Sequence, residues 1–214
     1  MALVSKKHNF IFIHIFRCGG NTVRRMLGAP SVGDHSDRLG AQEVLGVHID
    51  IKDLKAHFYK NNEQDFFDNA FKFVFVRNPY SWLVSVYEYI RRHPGHNFKK
   101  TVEHMTFLQF LNWYVSTAMK FDKPFGSNKY MQLNKFIYDE NGKAAINFTG
   151  TLETMRRDMN FISAQTGVHL GEYVKINGRP QGKGWKEFYN TASQDFVKEH
   201  FAADFKTFGY NLEW

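Results

Sequence analysis

The apolar positions of this chain fall into two kinds of run. The first kind is short and nearly continuous. Residues 9–15, around "FIFIHI", read as a buried strand by length and β-branched content. "FKFVFV", Phe71 to Val76, is the strongest strand, because an unbroken apolar run suits burial on both faces of a parallel sheet. "AAINF" at 144–148 reads as a third. The second kind recurs at helical spacing. Val23, Met26 and Leu27 share a face in 21–27, with Arg24 and Arg25 off it. A short helix is expected over 51–61, starting near Asp50 or Asp53. Pro79 sits where a first helical turn tolerates it, and Leu83, Val86, Tyr87 and Ile90 follow at i, i+3, i+4, i+7. Phe107, Phe110, Leu111, Tyr114 and Val115 mark a helix near 106–119. "LETMRRDMNFISAQTG" reads as another, with Gly167 beyond its end, and "TASQ" at 191–194 as a capping box ahead of Phe196, Val197 and Phe201. Residues 28–47 are rich in Gly, Asp and Ser and read as mostly loop. Strands alternating with helices predict an α/β sandwich around a central parallel sheet, and 214 residues suit a single domain, 1–214.

Composition narrows the partners. Aromatics make up 17% with 22 Phe, which fits a Phe-rich core or an aromatic-lined cleft. The net charge of +7 favours an anionic ligand, nucleic acid or an acidic surface, without choosing among them. With one cysteine, Cys18, the chain has no intrachain disulfide and no all-protein zinc–thiolate site. The start "MALVSKKHNFIFIHI" lacks the long apolar region and small-residue cleavage site of a signal peptide, and no segment nears the ~18 apolar residues of a membrane span. A soluble, cytoplasmic protein is the expectation. The sequon at Asn147 matters only for a secreted chain.

Ligands of such folds sit at the carboxyl ends of strands, and two strand exits carry notable chemistry. After Ile15 comes "FRCGGNT". Gly19 and Gly20 let backbone N–H groups approach an anion, Thr22 adds a hydroxyl at a helix start, and Arg17 adds a fixed charge. There is no Walker A pattern, and a plain strand–helix turn stands equally open. After Val76 comes "RNPYSWLVS", where Arg77 leaves the strand and Ser85, two turns into the helix, is placed to face back toward it. Alone, this reads as a surface arginine ahead of a Pro-started helix. Together, two separated anion sites suit a nucleotide with phosphates at two places.

These segments resemble the sulfotransferases that use 3'-phosphoadenylyl sulfate (PAPS), above all the carbohydrate and heparan-sulfate 2-O-sulfotransferase branch and its bacterial relatives. "HIFRCGGNT" is similar to that family's H-I-P-K-T-G-G-T-S, and "FVRNPYSWLVSVY" to its F-V-R-N-P-Y-D-R-L-V-S-x-Y. "YMQLNKFIYDENGKAAINFTGTLETMRRDMNFI" and "YNTASQDFVKEHFAADFKTFGY" resemble two later motifs in the same order. The resemblance implies a P-loop-like sulfotransferase fold, PAPS as donor, adenosine 3',5'-bisphosphate (PAP) as product, and no metal. By position, Arg17, Cys18, Gly19, Gly20, Asn21 and Thr22 would hold the 5'-phosphosulfate, and Arg77 and Ser85 the 3'-phosphate. Four positions depart from the pattern. Arg17 replaces the lysine that would stabilise charge on the bridging oxygen, Phe16 replaces proline, only one hydroxyl remains in Asn21-Thr22, and Thr151 stands where a basic residue is common.

The acceptor must lose a proton, which suits a histidine. "GVHIDIKDL" resembles the segment carrying the base of the 2-O-sulfotransferases, which implies His48, with Glu43, Asp50 and Asp53 as nearby alternatives and a helix-start or solvent-facing histidine as the plain reading. His14 corresponds to a loop-orienting residue. In "GRPQGKGWKEFY", Lys183 is placed to reach a phosphate and Trp185 to pack on adenine, although a solvated basic loop fits as well. "RRHPGHNFKK" at 91–100 is a basic loop that either recruits an anionic acceptor or is simply solvated. The function implied is sulfuryl transfer to a hydroxyl or amine of a small-molecule or glycan acceptor, with no nucleic acid and no membrane span. Acceptor identity and oligomeric state are not legible. A non-catalytic nucleotide- or polyanion-binding protein is the alternative of a different class. A kinase-like phosphotransferase ranks lower, lacking the Walker lysine.

Overall fold

A computed structural model describes residues 2–29, 40–44, 48–120, 132–173 and 184–214. Its sheet has five strands: β1 (Ala2–Ser5), β2 (Phe10–Ile13), β3 (Ala41–Val44), β4 (Phe71–Val76) and β5 (Phe148–Thr151). They lie in the order β3-β1-β2-β4-β5. β2, β4 and β5 run parallel, with Phe10 opposite Phe71 and Val76 opposite Thr151. Their carboxyl ends therefore share one edge. β1 is antiparallel to both β2 and β3, so the sheet is mixed rather than wholly parallel.

The helices are α1 (Gly20–Met26), α2 (Ile51–Lys60), α3 (Gln64–Asn69), α4 (Pro79–Arg92), α5 (Lys99–Val102), α6 (Phe107–Lys120), α7 (Met155–Thr166) and α8 (Thr191–Phe208). Side chains alternate across a strand, and here the alternation sorts two cores. Phe10, Phe12, Phe73 and Phe75 pack with Val23 and Met26 of α1 and with Met155, Met159 and Ile162 of α7. Ile11, Ile13, Val74 and Val76 face the other way, toward α2, α4, α6 and α8. The phenylalanine excess is thus largely core, as the twelve largest fully buried side chains among the described residues are all aromatic and nine of them are Phe. No described helix is long and apolar enough to cross a membrane.

Several expectations shift. β1 and β3 were not visible in the pattern, and 41–44 lay in a segment read as loop. The third parallel strand is Phe148–Thr151 rather than 144–148, while Ala144 forms a lone bridge to Tyr138. The box ahead of α8 is Asn190 with Ser193, one residue earlier than "TASQ": Asn190 Oδ1 accepts from Ser193 N at 2.9 Å, and Ser193 Oγ accepts from Asn190 N at 2.9 Å. The basic run 91–100 contains the start of α5, and much of its charge is paired. Arg91 and Arg92 reach Glu88 at 3.3 and 2.5 Å, and Lys99 reaches Glu103 at 2.6 Å.

Candidate functional site

The first exit lies between β2 and α1. Arg17 and Gly19 take left-handed backbone, φ 60° and 83°, which bends the chain back into the helix. Gly19 is the N-cap of α1, its carbonyl accepting from Thr22 N at 2.9 Å and Val23 N at 3.1 Å. A Cβ on Gly19 would lie 2.7 Å from Met155 Cε and 2.8 Å from Leu152 Cδ1, so the turn rests directly on the β5–α7 connection. A Cβ on Gly20 would fall on the His14 ring, at Cδ2 and Nε2. The glycine pair is therefore required by two close approaches. The N–H groups of Gly20 and Asn21 belong to the first helical turn, outside the intrahelical ladder, where an anion is readily held. Cys18 points into the core, its thiol pushed up by burial and its N–H donated to Ile15 O at 3.3 Å. Its side chain serves packing.

His14 and His48 stand behind this turn. His48 is 6% exposed, so it is not a solvent-facing residue, and its backbone is left-handed with φ 61°. Its Nδ1 lies 3.0 Å from the His14 carbonyl oxygen. A carbonyl only accepts, so Nδ1 carries the proton and Nε2 carries the lone pair. The two rings meet edge to face at 5.2 Å, and Phe16 covers His48 at 5.1 Å. Burial pushes His48 down to about 4, and burial plus the neighbouring His48 pushes His14 down to about 3. The His14 Nδ1 is buried with no hydrogen-bond partner. Of the alternative bases, Asp50 caps α2 by accepting from Asp53 N at 2.9 Å, while the Glu43 side chain lies outside the described residues.

A stability consequence follows from the sign of these shifts. Between roughly pH 6.5 and 4 the unfolded chain binds protons that folded His14 and His48 refuse, so stability is full above about 6.5 and falls as pH drops toward 4 and 3. Urea midpoints are expected to drop between pH 7.5 and 4.5 by an amount equivalent to roughly 2 kcal/mol per buried histidine. His48→Asn should flatten that slope. Equal slopes in the variant and the parent would contradict the burial of a neutral His48.

The second exit is tied to the first through α4. Asn78 caps α4, its Oδ1 accepting from Tyr80 N at 3.0 Å and Ser81 N at 3.4 Å. Arg77 Nε donates to Ser81 Oγ at 2.8 Å, a partner the sequence reading missed because it looked one turn further to Ser85. Ser85 Oγ instead accepts from Arg17 Nε at 3.2 Å, and the Arg17 guanidinium lies 4.7 Å from the Tyr89 ring centroid. Burial lowers the Arg17 pKa, yet a guanidinium stays charged at neutral pH. Trp82 Nε1 donates to Phe16 O at 2.8 Å. One helix thus carries the partners of both arginines. Trp185 stacks on Tyr80 at 6.0 Å, with Trp214 edge-on at 5.0 Å, so its ring belongs to an aromatic cluster at the start of α4. Lys183 lies outside the described residues.

Two arginines and a glycine turn thus stand at adjacent parallel strand ends. A family model described as Sulfotransferase family matches residues 1–211. The chain belongs to the sulfotransferase family. No curated protein and no solved structure matches it. Within the family the match speaks for sulfuryl transfer in general and singles out no 2-O branch. The α/β architecture agrees with the sulfotransferase fold, its parallel strands supplying the edge on which both exits lie.

Proposed function

We propose that this sulfotransferase moves a sulfuryl group from PAPS to a hydroxyl or amine of a small-molecule or glycan acceptor and releases PAP. The observation that carries the reading is the link across the two exits: Arg17 of the glycine turn bonds Ser85 of the helix that begins beside Arg77. Two fixed cations held on one helix suit two phosphate groups of one nucleotide better than two unrelated anions. The donor supplies an activated sulfuryl group on its 5'-phosphate. Arg17 and the N–H groups of Gly20 and Asn21 would hold that end and neutralise the charge left on the phosphate. Arg77, its Nε on Ser81, would hold the 3'-phosphate, with Ser85, the partner of Arg17, one turn further along α4.

His48 is the base in this reading. The His14 carbonyl fixes its tautomer, so Nε2 is the atom that takes the acceptor proton. A pKa of about 4 makes it a weak base at rest. An anion bound in the turn would raise it, because opposite charge favours the imidazolium. The replacement of a compact ammonium by Arg17 supports a second reading, a nucleotide-binding protein without turnover.

Thermal denaturation with PAP tests the binding half. At about 100 times Kd, PAP is expected to raise Tm by roughly 5–10 °C. No shift at saturating PAP would contradict both readings.

A further inference from the structure

The third parallel strand exit carries a carboxylate, Glu153, to which the donor reading gives no role. Beyond β5, Leu152 N donates to Val76 O at 2.8 Å, and Glu153 Oε1 accepts from Asn78 N at 3.0 Å. These two bonds grip the backbone on either side of Arg77. The carbonyl before it and the N–H after it are both held by consecutive residues of the third exit. Glu153 Oε2 also accepts from Tyr210 OH at 2.8 Å, and Tyr210 follows α8, where its N–H donates to Phe205 O at 3.0 Å.

Asn78 is thus engaged at its N–H, its carbonyl and its side-chain oxygen. Its N–H goes to Glu153, its carbonyl accepts from Ser81 Oγ at 3.1 Å, and its side chain caps α4. Ser81 Oγ in turn accepts from Arg77 Nε. The series Tyr210, Glu153, Asn78, Ser81, Arg77 is a continuous hydrogen-bonded path from the C-terminal helix to the arginine. Glu153 itself is exposed, so this clamp stands at the open edge of the sheet and not in the core. The turn bearing Glu153 is held from below: Asp158 Oδ2 accepts from Thr151 N at 2.9 Å and from Thr154 Oγ1 at 2.5 Å. A carboxylate beside a phosphate site repels the phosphate, so its presence there calls for a compensating task.

We propose that Glu153, backed by Tyr210, is a positioning residue that fixes the launch of Arg77 and so sets affinity for the 3'-phosphate of the nucleotide. This rests on the donor reading above. Because the clamp acts on the second exit, its loss should be felt by a nucleotide bearing a 3'-phosphate and not by one lacking it. A general loosening of the fold would weaken both.

The test compares PAP with adenosine 5'-phosphate by calorimetry on the full chain. Glu153→Ala is expected to weaken PAP about tenfold while adenosine 5'-phosphate stays within twofold of wild type. Glu153→Gln, which keeps an acceptor oxygen, should stay within about threefold for PAP. Tyr210→Phe removes one of the two bonds on the carboxylate and leaves Asn78 held, so a PAP loss of two- to fivefold is expected and serves if the alanine variant does not fold. Equal losses for both nucleotides, or unchanged PAP affinity in Glu153→Ala and Tyr210→Phe, would overturn the proposal. Wild-type protein that binds neither nucleotide would overturn the donor reading, and this one with it.

Discussion

Gly20→Ala is expected to abolish PAP binding while leaving the chain folded. The Cβ it adds falls on the His14 imidazole. That ring has no easy retreat, because Phe12 stacks on it at 6.0 Å and His48 meets it edge-on at 5.2 Å. The turn must move instead, and Gly19 behind it is already against Met155 and Leu152. Overpacking of this kind costs roughly 1–3 kcal/mol. A displacement of about 1 Å in a positioned site lowers rate on the order of a hundredfold. The loss should therefore be larger in binding and activity than in Tm. His14→Ala removes the ring, so Gly20→Ala in that background should cost far less than in the parent, a coupling between neighbours that a double-mutant cycle reads directly. Additive losses, or a Gly20→Ala variant that binds PAP normally, would contradict the close packing of ring and turn.

Arg77→Ala is expected to remove the PAP-induced Tm shift. Arg77 carries its charge at the end of the β4 strand, on a backbone bonded at both sides, with its Nε set by Ser81. Charge-assisted bonds to a phosphate are the strongest the site can offer, and losing them should weaken PAP at least a hundredfold. Arg77→Lys keeps the charge and loses the fork, so it should fall between. Arg92→Ala is the control, since Arg92, the last residue of α4 and part of the basic run, is paired with Glu88. Any polyanion binding that depends on that run should survive Arg77→Ala. A full Tm shift with PAP in Arg77→Ala would place the 3'-phosphate elsewhere.

How much of this was legible depended on whether the cause lay in local sequence. "FKFVFV" is a buried parallel strand because its burial is written into its own residues, and the helix after it is started by Asn78 and Pro79. β5 was displaced from the expected 144–148 because its pairing is decided by β4. It runs through Gly150, where a Cβ would sit 2.6 Å from Phe75 Cε1, so the strand is selected by a partner ring and not by its own apolarity. β1 and β3 are four residues each and exist through pairing, β3 with β1 and β1 also with β2. At the site, the glycine turn and Arg77 could be seen as candidates. That Arg17 reaches Ser85, Arg77 reaches Ser81 and Glu153 holds Asn78 could not, since each joins residues brought together by helix phase or by the sheet edge. The placement of His48 behind the turn likewise depends on the His14 carbonyl, 34 residues away.

The decisive measurement follows radiolabelled sulfate from PAPS into a panel of hydroxylated metabolites, amines and glycans. The expected result is label transferred to at least one acceptor with release of PAP, reduced on the order of a hundredfold or more in His48→Ala. Protein that binds PAP and yet leaves the donor intact across the whole panel would contradict sulfuryl transfer and leave a nucleotide-binding protein in its place.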